Sequence, residues 1–116
     1  MFGIHSDEGF RETVPGSRIK TLCYGEHTLL CEFRQTKGAL LPEHSHPYEQ
    51  TGYLVSGRLC MRIGESVREL EPGDSWCIPM NVLHKVDVLE DSVLVEVFGP
   101  ARTEYIQYLN PADVRE

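Results

Sequence analysis

His44 and His46 stand two residues apart in the segment Glu43-His44-Ser45-His46-Pro47-Tyr48-Glu49-Gln50. Alternate residues of an extended chain project to the same side, so both imidazoles can reach one point, and imidazole is the commonest protein ligand for mid-sized divalent cations. Gln50 keeps the parity of the two histidines and Glu49 does not. A strand following the Pro47-Tyr48 stretch therefore offers the Gln50 amide, not the Glu49 carboxylate, as the next inward group. His84 closes a second dense segment, residues 73–84, and opens another strand that brings a third imidazole. Taken singly, a His-x-His pair is often half-exposed surface, a strand glutamine is usually solvated, and a lone histidine is often a satisfied core residue. Shared parity and a third imidazole favour a metal site over these blander readings.

Positioning such a cluster takes strands. Leu29, Cys31 and Phe33 share one face of their segment. Leu59, Met61 and Ile63 do the same opposite Arg58 and Arg62, and Val86 and Val88 alternate with Lys85 and Asp87. Ser92 to Phe98 is apolar on both faces apart from Glu96, the pattern of a central, doubly covered strand. Gly57, Gly64, Pro72-Gly73 and Glu90-Asp91 fall between these runs and read as turns. Many short alternating segments cut by turn residues indicate an all-β sandwich or barrel. Closing the sheet removes the unpaired edges that so much strand would otherwise expose, and leaves an interior able to hold one small ligand or metal site. Residues 102–109 fit either a short helix or an edge strand.

The chain has 116 residues, 11 basic against 18 acidic, for a net charge of −7 with histidine neutral. That length fits a single domain over 1–116. A surface of that sign repels phosphate backbones, so nucleic acid is not an expected partner. No apolar run approaches the ~18 residues needed to span a bilayer, and no signal peptide is visible at Met1–Glu8, so a cytoplasmic protein is expected. The four cysteines (Cys23, Cys31, Cys60, Cys77) form no Cys-x-x-Cys pair, and reduced, buried core thiols are expected.

The two dense segments resemble the motifs of the cupins. The first reads Gly38, His44, His46, Gln50, Gly57, with Gln50 where the family usually has Glu. The second reads Gly73, Pro79, Asn81, His84, with Asn81 in a glycine position, and Asn is the non-glycine residue that best tolerates a left-handed turn. The resemblance implies a jelly-roll barrel of antiparallel strands with one divalent transition metal (Mn, Fe, Co, Ni or Zn) held by His44, His46, Gln50 and His84. Four uncharged ligands leave the ion its full charge, which favours an anionic substrate.

Two further residues invite a role. Glu96 either faces outward or is a buried acid with a task. Arg102 either forms a surface ion pair or clamps a carboxylate through two parallel bonds. The run Val97-Phe98-Gly99-Pro100-Ala101-Arg102, together with the first motif, is similar to a subgroup of small bacterial cupins of pectin and alginate breakdown. Those proteins help convert unsaturated monouronates to linear ketonised forms, with an acid two residues before a Phe and an Arg four after it: Glu96, Phe98 and Arg102 here. The family acid is typically Asp. The resemblance implies a metal-dependent, isomerase-like enzyme acting on a sugar acid, with Glu96 and Arg102 catalytic and Phe98 in the pocket; Tyr53 and Trp76 are candidate pocket residues beside it or else belong to the core. A metal-dependent dioxygenase and a non-catalytic sugar-binding or sensor cupin are the alternatives. A homodimer is expected from an exposed N-terminal strand and apolar sheet faces.

Overall fold

A computed structural model describes all 116 residues. Its strands are β1 (Phe2–Gly3), β2 (Arg11–Val14), β3 (Ser17–Tyr24), β4 (Leu29–Gln35), β5 (Leu40–His44), β6 (Glu49–Ile63), β7 (Ser66–Leu70), β8 (Ser75–Ile78), β9 (His84–Gly99) and β10 (Val114–Arg115). Pairings between strands are antiparallel, with one isolated parallel bridge from Thr21 to Leu109, and the architecture is an all-β jelly roll.

Two long strands organise it. The second half of β9 lies between β4 and the first half of β6, which also pairs with β8; β3 and β2 extend this wall beyond β4. The first half of β9 lies between β5 and the second half of β6, which pairs with β7. Strands β6 and β9 thus pass from one wall to the other side by side. They cross where the register shifts between Ser56↔Val93 and Arg58↔Glu90. Gly57 sits at this corner with φ +94°, and a Cβ there would lie 2.2 Å from Ser92 Oγ and 2.4 Å from the Asp91 carbonyl oxygen. The Ser92 hydroxyl closes the corner by accepting from the Arg58 amide at 3.1 Å and donating to the Glu90 carbonyl at 2.7 Å. Gly57 and Glu90-Asp91, expected as turns, are therefore facing irregularities in continuous strands.

Alternation sets what faces the interior. Leu29, Cys31 and Phe33 of β4, Leu54, Leu59 and Met61 of β6, and Val86, Val88, Leu94 and Phe98 of β9 are all buried. Ser92, Leu94, Glu96 and Phe98 point inward, whereas Val93, Val95 and Val97 are half-buried on the outside. The Ser92–Phe98 segment is thus central but not covered equally on both faces. All four cysteines are free, and only Cys31 is fully buried; desolvation pushes its thiol up to about 12. Cys77 is exposed, contrary to the expected core role, because its neighbours Trp76 and Ile78 take the inward positions of β8.

The tail forms two 3₁₀ turns, Thr103–Tyr108 and Pro111–Asp113, and ends in β10, which pairs with the exposed β1. Lys20, 2% exposed, staples both ends of the chain. Its ammonium donates to the Ser6 and Glu8 carbonyls and lies 3.0 Å from Asp113 Oδ2. No helix is long and apolar enough to cross a membrane.

Candidate metal centre

His44 ends β5 and is the register partner of His84, which begins β9. His46 follows in the loop to β6, and its carbonyl accepts from the Asn81 amide at 2.8 Å. Asn81 adopts φ +63°, the left-handed turn expected of it, so one short loop pins the other. The ligand atoms of His44, His46 and His84 lie within 4.8 Å of one another, a group able to share one metal ion. Gln50, one residue into β6, is 7% exposed and faces the same cavity, while Glu49 is exposed, as parity requires.

Hydrogen bonds and burial prepare the donors. Nδ1–H of His44 donates to the Pro42 carbonyl and Nδ1–H of His84 to the Val82 carbonyl, each at 2.9 Å. Such bonds fix the tautomer and leave Nε2 as the lone-pair nitrogen. Nε2 of His84, both ring nitrogens of His46 and Oε1 of Gln50 are buried without any partner. An orphaned buried polar atom costs about 1–3 kcal/mol, and orphaned acceptors on three residues around one cavity are what a cation would satisfy. The residues therefore fit the divalent ion implied by the motifs. Burial holds the His46 and His84 imidazoles below their ordinary value, with Arg102 and His44 adding to it for His46, and His44, His46 and Arg102 for His84. Both rings are thus kept in the uncharged form that binds metals.

Glu96 faces inward and is 5% exposed. Its Oε2 accepts two hydrogen bonds, from Nε2 of Gln50 and from Nε1 of Trp76, the latter at 3.0 Å. Because a carboxylate only accepts, it turns the Gln50 NH₂ toward itself and the carbonyl oxygen away. Burial pushes the Glu96 carboxyl up; the Gln50 and Trp76 bonds and the nearby Arg102 charge oppose this. Its Oε1 makes no bond within the protein, and Glu96 lines the cavity. Trp76 reaches Glu96 because both pair with Gly52: a Cβ at Gly52 would sit 2.2 Å from the indole ring.

Arg102 also lines the cavity, which measures about 240 Å³ and includes His44, His46, Gln50 and His84 in its wall. Its guanidinium lies 4.0 Å from the ring centre of Tyr105 and 5.2 Å from those of Tyr48 and Phe98. Two candidate pocket residues are placed elsewhere. Tyr53 is 49% exposed on the outer face, since it has the parity opposite to Gln50. Trp76 is buried but stands behind Glu96 and forms no part of the cavity wall. Sequence reasoning missed Tyr48 and Tyr105, which pack around Arg102. Tyr48 sits inside the first motif, and Tyr105 lies in the tail that fits either a short helix or an edge strand, neither of which places its ring beside Arg102.

Residues 32–98 match the Cupin_2 family, described as "Cupin domain". The chain belongs to that family. Among relatives, this cupin is 27% identical over 105 residues to the pectin degradation protein KdgF of Dickeya dadantii, covering 89% of this chain and 96% of that one. Among solved structures it resembles KdgF from Halomonas sp., with a TM-score of 0.85, 26% identity, and coverage of 90% of this cupin and 98% of that chain. An RmlC-like cupin from Shewanella frigidimarina shares the fold, with a TM-score of 0.81, 23% identity, and coverage of 88% and 94%.

Proposed function

We propose that this cupin is a metal-dependent isomerase that opens the ring of a 4,5-unsaturated monouronate and releases the linear keto form. The observation that carries the reading is the meeting of three kinds of group in one cavity: uncharged donors on His44, His46, Gln50 and His84, a free carboxyl oxygen on Glu96, and the guanidinium of Arg102. The two KdgF relatives support the substrate class.

His44, His46, Gln50 and His84 would hold one divalent ion, which when bound supplies Lewis acidity toward a substrate oxygen. Arg102 binds the carboxylate and sets the orientation of the sugar. Phe98 and Tyr105 exclude water along that wall. Glu96 Oε1 takes the proton of the anomeric hydroxyl. As that O–H bond breaks, the C1–O double bond forms and the bond from C1 to the ring oxygen breaks, leaving an enolate. Glu96 returns the proton to C4, and C5 becomes a ketone. The product is an isomer of the substrate, and no co-reactant is consumed.

The test mixes metal-loaded protein with unsaturated galacturonate and follows loss of the conjugated double bond by ultraviolet absorbance, with the product assigned by NMR. Acceleration over spontaneous decay, lost on chelation and restored by added metal, is the expected result. An unchanged decay rate overturns the proposal, and oxygen uptake in the same assay would assign the site to dioxygenase chemistry instead.

A further inference from the structure

Glu104 takes no part in the steps above, yet it holds the residue that would bind the substrate. Its Oε1 accepts from Nε of Arg102 at 2.6 Å, with the Glu104 side chain 54% exposed and that of Arg102 16% exposed. A guanidinium can meet a carboxylate through either of two edges, the side-on pair formed by Nε with one terminal nitrogen, or the end-on pair formed by the two terminal nitrogens. Glu104 occupies Nε and so closes the side-on edge. The terminal nitrogens make no hydrogen bond within the protein.

The backbone makes this pairing local and firm. Arg102 caps the 3₁₀ turn Thr103–Tyr108, with Glu104 in its first turn, and the Tyr105 amide donates to the Arg102 carbonyl at 2.9 Å. The aromatic faces of Tyr48, Phe98 and Tyr105 hold the guanidinium itself. Arg102 lines the cavity and Glu104 does not, so the glutamate acts from outside the mouth.

We propose that Glu104 is a positioning and specificity-determining residue: by engaging Nε it obliges Arg102 to meet a ligand end-on, and so selects carboxylates that reach the metal centre from that one direction. This rests on the reading of Arg102 as the carboxylate clamp, not on turnover. The alternative effect of Glu104 has the opposite sign. A carboxylate beside Arg102 offsets its charge, so if charge were all that mattered, removing Glu104 would tighten anion binding.

The experiment titrates the metal-loaded protein with galacturonate and with its methyl ester by calorimetry. Glu104→Ala is expected to weaken galacturonate binding about tenfold, the scale of a lost charge-assisted bond, and to leave the ester unchanged. Glu104→Gln keeps an acceptor for Nε without the charge, and is expected to bind galacturonate at least as tightly as wild type. An unaltered melting temperature in both variants excludes a fold effect. Equal or tighter galacturonate binding in Glu104→Ala, or equal weakening of acid and ester, overturns the proposal. A wild type that does not prefer acid over ester removes the clamp and this inference with it. A wild type that prefers the acid but turns over no unsaturated uronate overturns only the proposed reaction.

Discussion

Replacing Glu96 by Gln separates proton transfer from scaffolding. The side chain keeps its length, and its amide oxygen can stay where Oε2 now accepts from Gln50 and Trp76. The two buried donors remain satisfied, so the fold should change by no more than about 1 kcal/mol, a shift of several degrees in melting temperature. Metal content should be unchanged, because the Gln50 carbonyl still points away from residue 96. What is lost is the basic oxygen facing the cavity. Removing a positioned proton carrier costs about 10²–10⁴-fold, so kcat for unsaturated galacturonate should fall by that factor with KM nearly constant. Glu96→Asp probes the other role. The carboxylate retracts by one carbon–carbon bond, ~1.5 Å, and no longer reaches Gln50. Loss of such an outer partner typically costs about 10–100-fold in metal affinity, which competition against a chromophoric chelator measures. A Glu96→Gln variant that keeps metal and retains kcat within tenfold of wild type would refute Glu96 as the proton carrier. Wild-type metal affinity in Glu96→Asp would refute the hold of Glu96 on Gln50.

Chelation should lower the melting temperature, since a ligand at a hundredfold excess over its Kd stabilises by about 2.7 kcal/mol; in His84→Ala, added metal should no longer raise it, as thermal scans would show. Gly57→Ala places a Cβ against Ser92 and Asp91 at a positive φ and should cost at least about 2 kcal/mol in urea unfolding. The hydrogen bonds from Lys20 and Ser6 hold the Asp113 carboxyl below its ordinary value of 3.8. Its stabilising contribution is therefore complete above pH 3.8 and is lost as pH falls through the lower value of the folded protein. The melting-temperature gap between wild type and Asp113→Asn should accordingly be constant near neutrality and narrow in acid. Light scattering at micromolar concentration is expected to give the mass of a homodimer, with the half-buried outer face of Val93, Val95 and Val97 in contact.

Side-chain parity carried much of the site, because strand geometry is local. It turned Gln50 inward and Glu49 outward, and the same rule places Tyr53 on the outside, away from the pocket for which it was a candidate. Glu96 could not be assigned a side from its own segment, whose valines and leucine are apolar on both faces; only pairing with Cys31 and Gly52 decides it. Gly57 and Glu90-Asp91 carry turn chemistry, but a glycine at positive φ serves a chain reversal and a strand corner equally well. Which one forms depends on two strands meeting across a long stretch of sequence, information no local window contains. The grip of Glu104 on Arg102 was hidden for a different reason. Two residues apart in an extended tail they would merely share a face, and the 3₁₀ turn closes them into a bond.

Gly52 leaves the indole of Trp76 room to lie flat on the neighbouring strand, and the chain contains no other tryptophan. All indole emission therefore originates one hydrogen bond from the carboxylate that holds the Gln50 amide. The protein thus carries its own lamp beside the proposed metal centre, and a change in its emission on titration with a divalent ion is the expected sign of loading, readable in unlabelled material in solution.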